Sequence, residues 1–317
     1  MKLTYSIIIP VFNRPQEIHA LLESLTKQTF TEDFEVLVIE DGSTLKSDEV
    51  VSKYEGFLNI KYHFKENSGA GASRNFGMQL AKGNYFIIFD SDCIIPPHYL
   101  AEVDDALDQN YTDAFGGADT AHDSFTTVQK AINYSMTSFL TTGGIRGSKN
   151  SVDRFQPRSF NFGISRLAYR IIGGFSDMKI GEDIDLTLRL WERNFHTQFI
   201  EKAFVYHKRK ATLKQFFGQT YLFGKARPLL NRKYSDTGKI TYWFPILFIL
   251  FFMASIVLLF LGFKLPAALF LIYFVALFLD SLFKNKKISV AALSVVTTLI
   301  QFTGYGLGFL KGLFSAN

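Results

Sequence analysis

Apolar positions follow two patterns along this chain. Up to about residue 240, short runs of strand length alternate with stretches of helical spacing, and from Trp243 onward the residues are nearly all Phe, Leu, Ile, Val and Ala. In the first part "TYSIIIPVF" is a continuous apolar run. "PQEIHALLESLTKQ" then places Ile18, Leu21, Leu22 and Leu25 at helical spacing. "FEVLVIED", "NIKYHF" and "NYFIIFD" read as further strands, with "AGASRNFGMQLAKG" a helix closing on Gly83 between the last two. Near-continuous apolar strands that alternate with helices predict an α/β domain whose mainly parallel sheet is covered on both faces. Such sheets bind ligands at the carboxyl ends of their strands. The strand ends here carry acid, at Glu40-Asp41 and at Asp90 and Asp92.

The second pattern predicts membrane attachment. Three apolar stretches, 243–263, 265–283 and about 290–310, are each close to the roughly 20 residues a helix needs to cross the hydrocarbon core. Only Lys264 and the Leu265-Pro266 break separate the first two, which therefore form a tight hairpin, and "KNKK" (284–287) separates the second from the third. The positive-inside rule places the "KNKK" loop and the basic segment before the first span in the cytoplasm, with the Lys264 turn and the C-terminus outside. The third stretch carries Gln301 and the small residues Gly304, Gly306 and Gly308. It is either a closely packed span or a segment that only dips into the interface. Asp280, near the end of the second span, is either interfacial or turned toward a lipid-linked ligand.

Composition sharpens this division. Hydrophobic residues make up 48% of 317, with 34 Phe, more than a soluble globule of this size needs. Of the net charge of +5, the informative part lies between Lys208 and Lys233, where eight Lys or Arg occur with no Asp or Glu. Phe216, Phe217, Tyr221, Leu222 and Phe223 interleave with them. A basic, aromatic-laced segment can bind nucleic acid, but immediately before a membrane span it suits anionic headgroups, and no nucleic-acid partner is expected. The expected organisation is a folded α/β domain over 1–207, an amphipathic interface segment over 208–240 and a membrane domain over 241–317. Cys93 is the lone cysteine, which excludes an intramolecular disulfide and a cysteine-based metal cluster. "MKLTYSIIIPVFNRP" is broken by Pro10, Asn13 and Pro15 before any cleavage-like site. It therefore reads as a first strand, and the N-terminal part is expected in the cytoplasm.

Three groups of polar residues carry candidate chemistry. "NSGAGASRNFG" mimics a dinucleotide fingerprint, yet it lies in the third strand–helix unit and lacks the third glycine at its proper place. What it offers is a helix N-terminus and Arg74, both suited to phosphate. In extended backbone, side chains two apart point the same way, so Asp90 and Asp92 are expected to converge. Two hard carboxylates at that spacing suit Mg²⁺ or Mn²⁺, which would neutralise charge on a departing diphosphate. The plainer reading is an Asx-turn at a strand end. In "GEDIDLTLRLWERN" the acids Glu182, Asp183 and Asp185 open an amphipathic helix. They serve either the helix dipole or, beside a metal, as a general base on an acceptor hydroxyl. His207, in "FVYHKRK", is a surface residue or a further metal ligand.

Taken in order, "SIIIPVFNR", "VLVIEDGST", "NSGAGASRNFG", "FIIFDSDC", "FNFGISRLAYRIIGGF" and "GEDIDLTLRL" resemble the inverting glycosyltransferases of family 2 over roughly residues 4 to 207. That resemblance implies a GT-A fold, a Rossmann-like mixed sheet that binds a nucleotide-diphosphate sugar, here followed by transmembrane helices. It implies that Pro10 and Asn13 shape the nucleotide pocket and that Asp41, with Glu40 beside it, contacts base or ribose. Arg74 would lie on the donor side, Asp90 and Asp92 would bind ribose and metal, and Asn161 would line the donor and acceptor side. Asp183 would be the catalytic base with Glu182 beside it. The Q-x-x-R-W signature of processive synthases is absent, "QTYLFGKAR" only loosely filling its place, and the three spans do not flank the catalytic part on both sides. The expected activity is therefore transfer of one or a few sugars, from a UDP-sugar, to a lipid-linked glycan at the cytoplasmic face of the inner membrane, with Mg²⁺ or Mn²⁺. A polyprenyl-phosphate acceptor and a non-catalytic nucleotide-sugar-binding scaffold are the alternatives. A nucleotidyltransferase would need a glycine- and basic-rich phosphate loop that "SIIIPVFNR" does not have.

Overall fold

The structure, a computed structural model, describes residues 2–143 and 155–315, the side chain of Asp236 aside. The first half supplies β1 (Tyr5–Val11), α1 (Pro15–Leu25), β2 (Phe34–Asp41), α2 (Asp48–Ser52), β3 (Asn59–Lys65), α3 (Ala70–Leu80) and β4 (Tyr85–Phe89). Next come β5 (Cys93–Ile94), α4 (Tyr99–Gln109), β6 (Ala114–Gly116), β7 (Asp119–Thr120), α5 (Thr127–Thr137) and α6 (Phe139–Thr142). The second half continues with β8 (Asn161–Ser165), α7 (Arg166–Ile172), α8 (Glu182–Glu192), β9 (Thr197–Phe199), β10 (Val205–His207) and α9 (Leu213–Lys233). The last three helices are α10 (Phe244–Phe260), α11 (Leu265–Asn285) and α12 (Ile288–Leu313). Two compact units result. One holds residues up to 122 together with 155–208, and the other holds 123–143 together with 209–315. Thus α5 and α6 fall in the second unit although they lie inside the 1–207 stretch in sequence.

The first unit is a mixed sheet of order β3-β2-β1-β4-β8-β6-β9. Strands β3, β2, β1 and β4 run parallel, β8 is antiparallel to β4 and β6, and β6 is parallel to β9. Strands β1 and β4 are buried at every position, and β2 at all but its first, as continuous apolar runs require of a sheet covered on both faces. Ile7, Ile9, Val36 and Val38 face Ile18, Leu21 and Leu22 on one side. Ile8, Leu37, Ile39 and Ile88 face Met78, Leu186 and Leu190 on the other. Helix α3 stops at Leu80, short of Gly83, because Ala81 already adopts an extended backbone.

A second sheet of order β5-β10-β7 is built from short strands far apart in sequence. Its register sets His207 opposite Cys93 and Val205 opposite Asp119. Gly117 makes this possible, since a Cβ there would stand 1.7 Å from the Ala203 carbonyl oxygen. Among the described residues of the second unit, three helices are long and apolar enough to cross a membrane. They are Ile240–Phe260, Leu265–Asn285 and Ile288–Leu313, with mean hydropathies of 2.6, 2.1 and 1.5.

Candidate active site

The acids that close β2 and β4 lie at the carboxyl ends of parallel strands, where such sheets present their crevice. They do not act as one group. Glu40 is fully buried and holds the turn after β2, accepting from Ser43 Oγ and from the Ser47 amide at 2.8 Å. Asp41 accepts Lys65 Nζ at 2.5 Å and the amides of Ser68 and Gly69, both at 2.9 Å. Burial works against its charge, but the hydrogen bonds of Lys65, the Ser68 amide and Ser73 keep its carboxyl below the usual range. Asp41 therefore fixes the loop that leads into α3. Asn13 makes the matching clasp from β1, its Oδ1 accepting from the amides of Thr44 and Leu45, each at 2.9 Å. Pro10 is buried within β1, pairing in register with Ile39.

Asp90 and Asp92 part company. Strand β4 ends at Phe89, and the Cys93 amide donates to the Asp90 carbonyl at 3.1 Å, so residues 90–92 form a turn. This corrects the expectation of an extended pair pointing one way, because a turn aims the two side chains apart. Asp90 goes to Arg74, whose Nη2 donates to Oδ1 at 2.7 Å. The same guanidinium donates from Nη1 to Glu182 Oε1 at 2.9 Å and lies 5.1 Å over the Phe175 ring. Arg74 is 3% exposed, and its Nε has no acceptor among the described residues. Burial works against its charge, yet Asp90 and Glu182 outweigh burial and raise its pKa further. Burial and the Asp183 charge, in turn, push the Glu182 carboxyl above its usual range. One guanidinium thus joins the end of β4 to the start of α8.

Asp92 sits with His207. Its Oδ2 accepts from Arg14, and its Oδ1 is buried with no hydrogen-bond donor among the described residues, His207 Nε2 lying 3.3 Å away. Burial opposes its ionisation, but His207 and Arg14 hold the carboxyl far below the usual range. On the other edge of the imidazole, Nδ1 lies 3.9 Å from Asp119 Oδ2, and the Phe160 ring stacks on it at 4.5 Å. His207 closes β10 rather than lying on a surface, and is partly buried. Ligand atoms of Asp92, Cys93 and His207 lie within 4.8 Å of one another. The Cys93 thiol donates to the Phe160 carbonyl at 3.6 Å. The orphaned Asp92 oxygen and the adjacent imidazole fit a hard divalent cation such as Mg²⁺ or Mn²⁺. Asp90, engaged by Arg74, lies outside that group.

Helix α8 begins at Gly181 with φ 84°, and its first turn carries Glu182, Asp183 and Asp185. Asp185 is fully buried and accepts from Arg189 at 2.9 Å, a structural use. Asp183 Oδ1 caps the Ile184 amide at 2.8 Å, while Oδ2 lies 3.8 Å from Arg158 Nη1. Asn161 departs from expectation. It is fully buried, accepting from Tyr99 Oη at 2.6 Å and donating to the Ala203 carbonyl at 2.8 Å. With its amide spent on protein, it braces β8 rather than lining a pocket. Arg14, Asp119 and Arg158 join these groups without being among the site residues expected from the sequence. Arg14 had a signal, lying one residue past Asn13 at the end of β1, whereas Asp119 and Arg158 arrive only through long-range pairing.

Residues 6–173 match the family model described as glycosyl transferase family 2. Poly(ribitol-phosphate) beta-N-acetylglucosaminyltransferase TarS of Staphylococcus aureus is 36% identical over 112 residues, 34% of this chain and 20% of that protein. Chondroitin synthase of Escherichia coli is 40% identical over 89 residues, 27% of this chain and 13% of that protein. The aligned stretches thus span a fifth or less of these two relatives. Among solved structures, TarS 1-349 in complex with UDP-GlcNAc superposes with a TM-score of 0.51 at 22% identity, covering 70% of this chain and 64% of that one. Mannosyltransferase PcManGT from Pyrobaculum calidifontis, in complex with GDP-Man and Mn²⁺, gives 0.61 at 15% identity, covering 99% and 88%. At those identities the likeness is one of fold, and the fold is GT-A.

Proposed function

Because this chain belongs to glycosyl transferase family 2, we propose that it moves a sugar from a nucleotide-diphosphate donor, a UDP-sugar first, to a lipid-linked glycan with inversion at the anomeric carbon. The observation that carries the reading is the Arg74 bridge, which ties the Asp90–Asp92 turn to the Glu182-Asp183 helix start. A donor-side group and a base are thereby held on one frame, as single displacement requires.

Asp183 takes the proton of the acceptor hydroxyl on Oδ2, its Oδ1 being held by the Ile184 amide. The freed oxygen forms its bond to the anomeric carbon as the carbon–oxygen bond to the diphosphate breaks, the electron pair leaving with the diphosphate. Glu182, tied to Arg74, keeps the helix start in register with the β4 end. Asn13 and Asp41 set the loops after β2 and β3 on which the nucleotide would lie. Asp92 and His207 would hold the divalent cation, which when bound supplies positive charge to the leaving diphosphate. The apolar helices support a membrane-embedded protein, and the charge of 208–233 and "KNKK" supports a cytoplasmic catalytic unit at the inner membrane.

Release of nucleoside diphosphate from a panel of nucleotide sugars, with Mn²⁺ and membrane lipid acceptors, tests this. Release from one donor, lost in both Asp92→Ala and Asp183→Asn, is the expected result. Binding of UDP with no turnover on any lipid acceptor would favour the scaffold instead. One observation favours a second reading: Arg158, beside Asp183, suits an anionic acceptor such as a polyprenyl phosphate. That nucleophile is already ionised, so activity retained in Asp183→Asn would select it.

A further inference from the structure

Helix α12 is the least exposed of the three long apolar helices, with 39% of its most apolar window buried against 11% for each of the others. What buries it is informative. Its C-terminal half lies along α9 at backbone contact: a Cβ on Gly304, Gly308 or Gly312 would stand 2.2, 1.9 and 2.5 Å from Thr220 Oγ1 and the carbonyls of Tyr221 and Lys225. The approach is mutual, since a Cβ on Gly224 of α9 would meet the Tyr305 carbonyl at 2.1 Å. Helix α9 carries Lys214, Lys225, Arg227, Arg232 and Lys233, too many cations to follow a partner through hydrocarbon. Nearer its start, α12 donates from Thr297 to the Ala131 carbonyl of α5 at 3.1 Å. Helix α5, eleven residues including Gln129, Lys130 and Asn133, is too short and too polar to cross.

The hairpin fixes the direction of α12. Phe248 and Phe252 of α10 pack against Phe270 and Phe274 of α11, and only the short turn at 261–264 joins the two helices, so the legs run side by side in opposite senses. In that register Trp243 and Ser281 lie at the same end, away from the Lys264 turn. A third span would run parallel to α10, its end beside that turn. Instead α12 touches α11 near its own start, through Ser281 and Ser294 at 2.8 Å. It then touches the first residues of α10 near its own end: Phe244 and Phe248 against Phe302, Ile246 against Gly306, and Trp243 against Phe309. From Ser294 to Phe309 a helix advances about 22 Å, yet both contacts lie at one level of the hairpin.

We infer that α12 lies in the plane of the membrane across the base of the α10–α11 hairpin, clamped by its glycines under α9, and that only the hairpin crosses. Its occupant is an anionic bilayer surface. Ile288, Val296, Leu307 and Phe314 are exposed and apolar, while α9 supplies the cations for headgroups. The C-terminal end and the start of α9 then lie on the same side, and only the Lys264 turn reaches the other. This rests on the membrane reading of the apolar helices but not on the transferase chemistry.

Single cysteines placed at Lys214, Lys264 and Ser315, in a chain whose own Cys93 is buried and with the unsubstituted chain as the labelling control, test it. They are labelled with a membrane-impermeant maleimide in sealed right-side-out and inside-out vesicles, with transferase activity followed separately. The 214 and 315 positions are expected to label from one side and 264 from the other. Labelling of 315 together with 264, or of 315 from neither side until detergent is added, overturns the inference. Activity lost with this labelling pattern intact would count against the chemistry and leave the topology standing.

Discussion

Replacing Arg74 with methionine removes the cation between Asp90 and Glu182 while keeping much of the side-chain volume. Its side chain is 4% exposed, against 16% for Glu182 and 29% for Asp90, so Glu182 cannot recover its solvation in water. Breaking a buried pair by deleting one partner costs about 3 to 5 kcal/mol. The more open Asp90 places this site near the low end, about 3 kcal/mol, which for a unit of this size is roughly 6 to 12 °C in Tm. The loss should depend on pH. Burial and Asp183 already raise the Glu182 pKa above 4.5, so the unfolded chain gives up that proton first as pH rises. Stability therefore falls with rising pH from about 4.5 up to the folded pKa and then levels. Without Arg74 that folded pKa climbs and the falling window widens, so the variant should lose more Tm at pH 8 than at pH 5. Melting curves of the purified protein in detergent at both pH values measure this, with Arg74→Met/Glu182→Gln as control. A loss of equal size at both pH values, or a double variant no more stable than the single one, would refute the reasoning.

Mn²⁺ with UDP should raise the Tm of the wild type, and Asp92→Asn or His207→Ala should abolish that increment. An increment left intact would remove both from the cation site. Asn161→Ala strands the buried Tyr99 hydroxyl and should cost about 1 to 3 kcal/mol of stability by denaturant titration, with donor affinity by calorimetry unchanged. Lost affinity at unchanged stability would make it a binding residue after all. Gly308→Leu forces a side chain against the Tyr221 carbonyl and should cost about 1 to 3 kcal/mol or more. A thermal scan showing no loss would contradict the close α9–α12 packing.

The parts of this account that were legible in the sequence are those set by local pattern. Residues 5–11, 34–41 and 85–89 had to be buried parallel strands because their apolar runs leave no polar face. Acids at their ends then fall in the crevice by topology. Where side chains go after the strand ends was not legible. A single turn at 90–92 sends Asp90 to Arg74 and Asp92 to His207, and a two-residue spacing does not distinguish a turn from a strand. His207 could be weighed only as a surface residue or a ligand, since its place depends on pairing with Cys93, 114 positions away. Asn161 looked available because an amide in a motif gives no sign that Tyr99 and Ala203 have claimed it. For α12, length and hydropathy equal those of a span, and only its partners show which way it runs.

The most direct test of the central claim follows the sugar itself. Nucleotide sugar labelled at the anomeric carbon is incubated with the protein in membranes, and the lipid-extractable product is examined by NMR for its anomeric configuration. Single displacement with Asp183 as base predicts incorporation into the lipid fraction with inverted configuration, lost in Asp183→Asn. Retained configuration, or sugar released only to water, would contradict it.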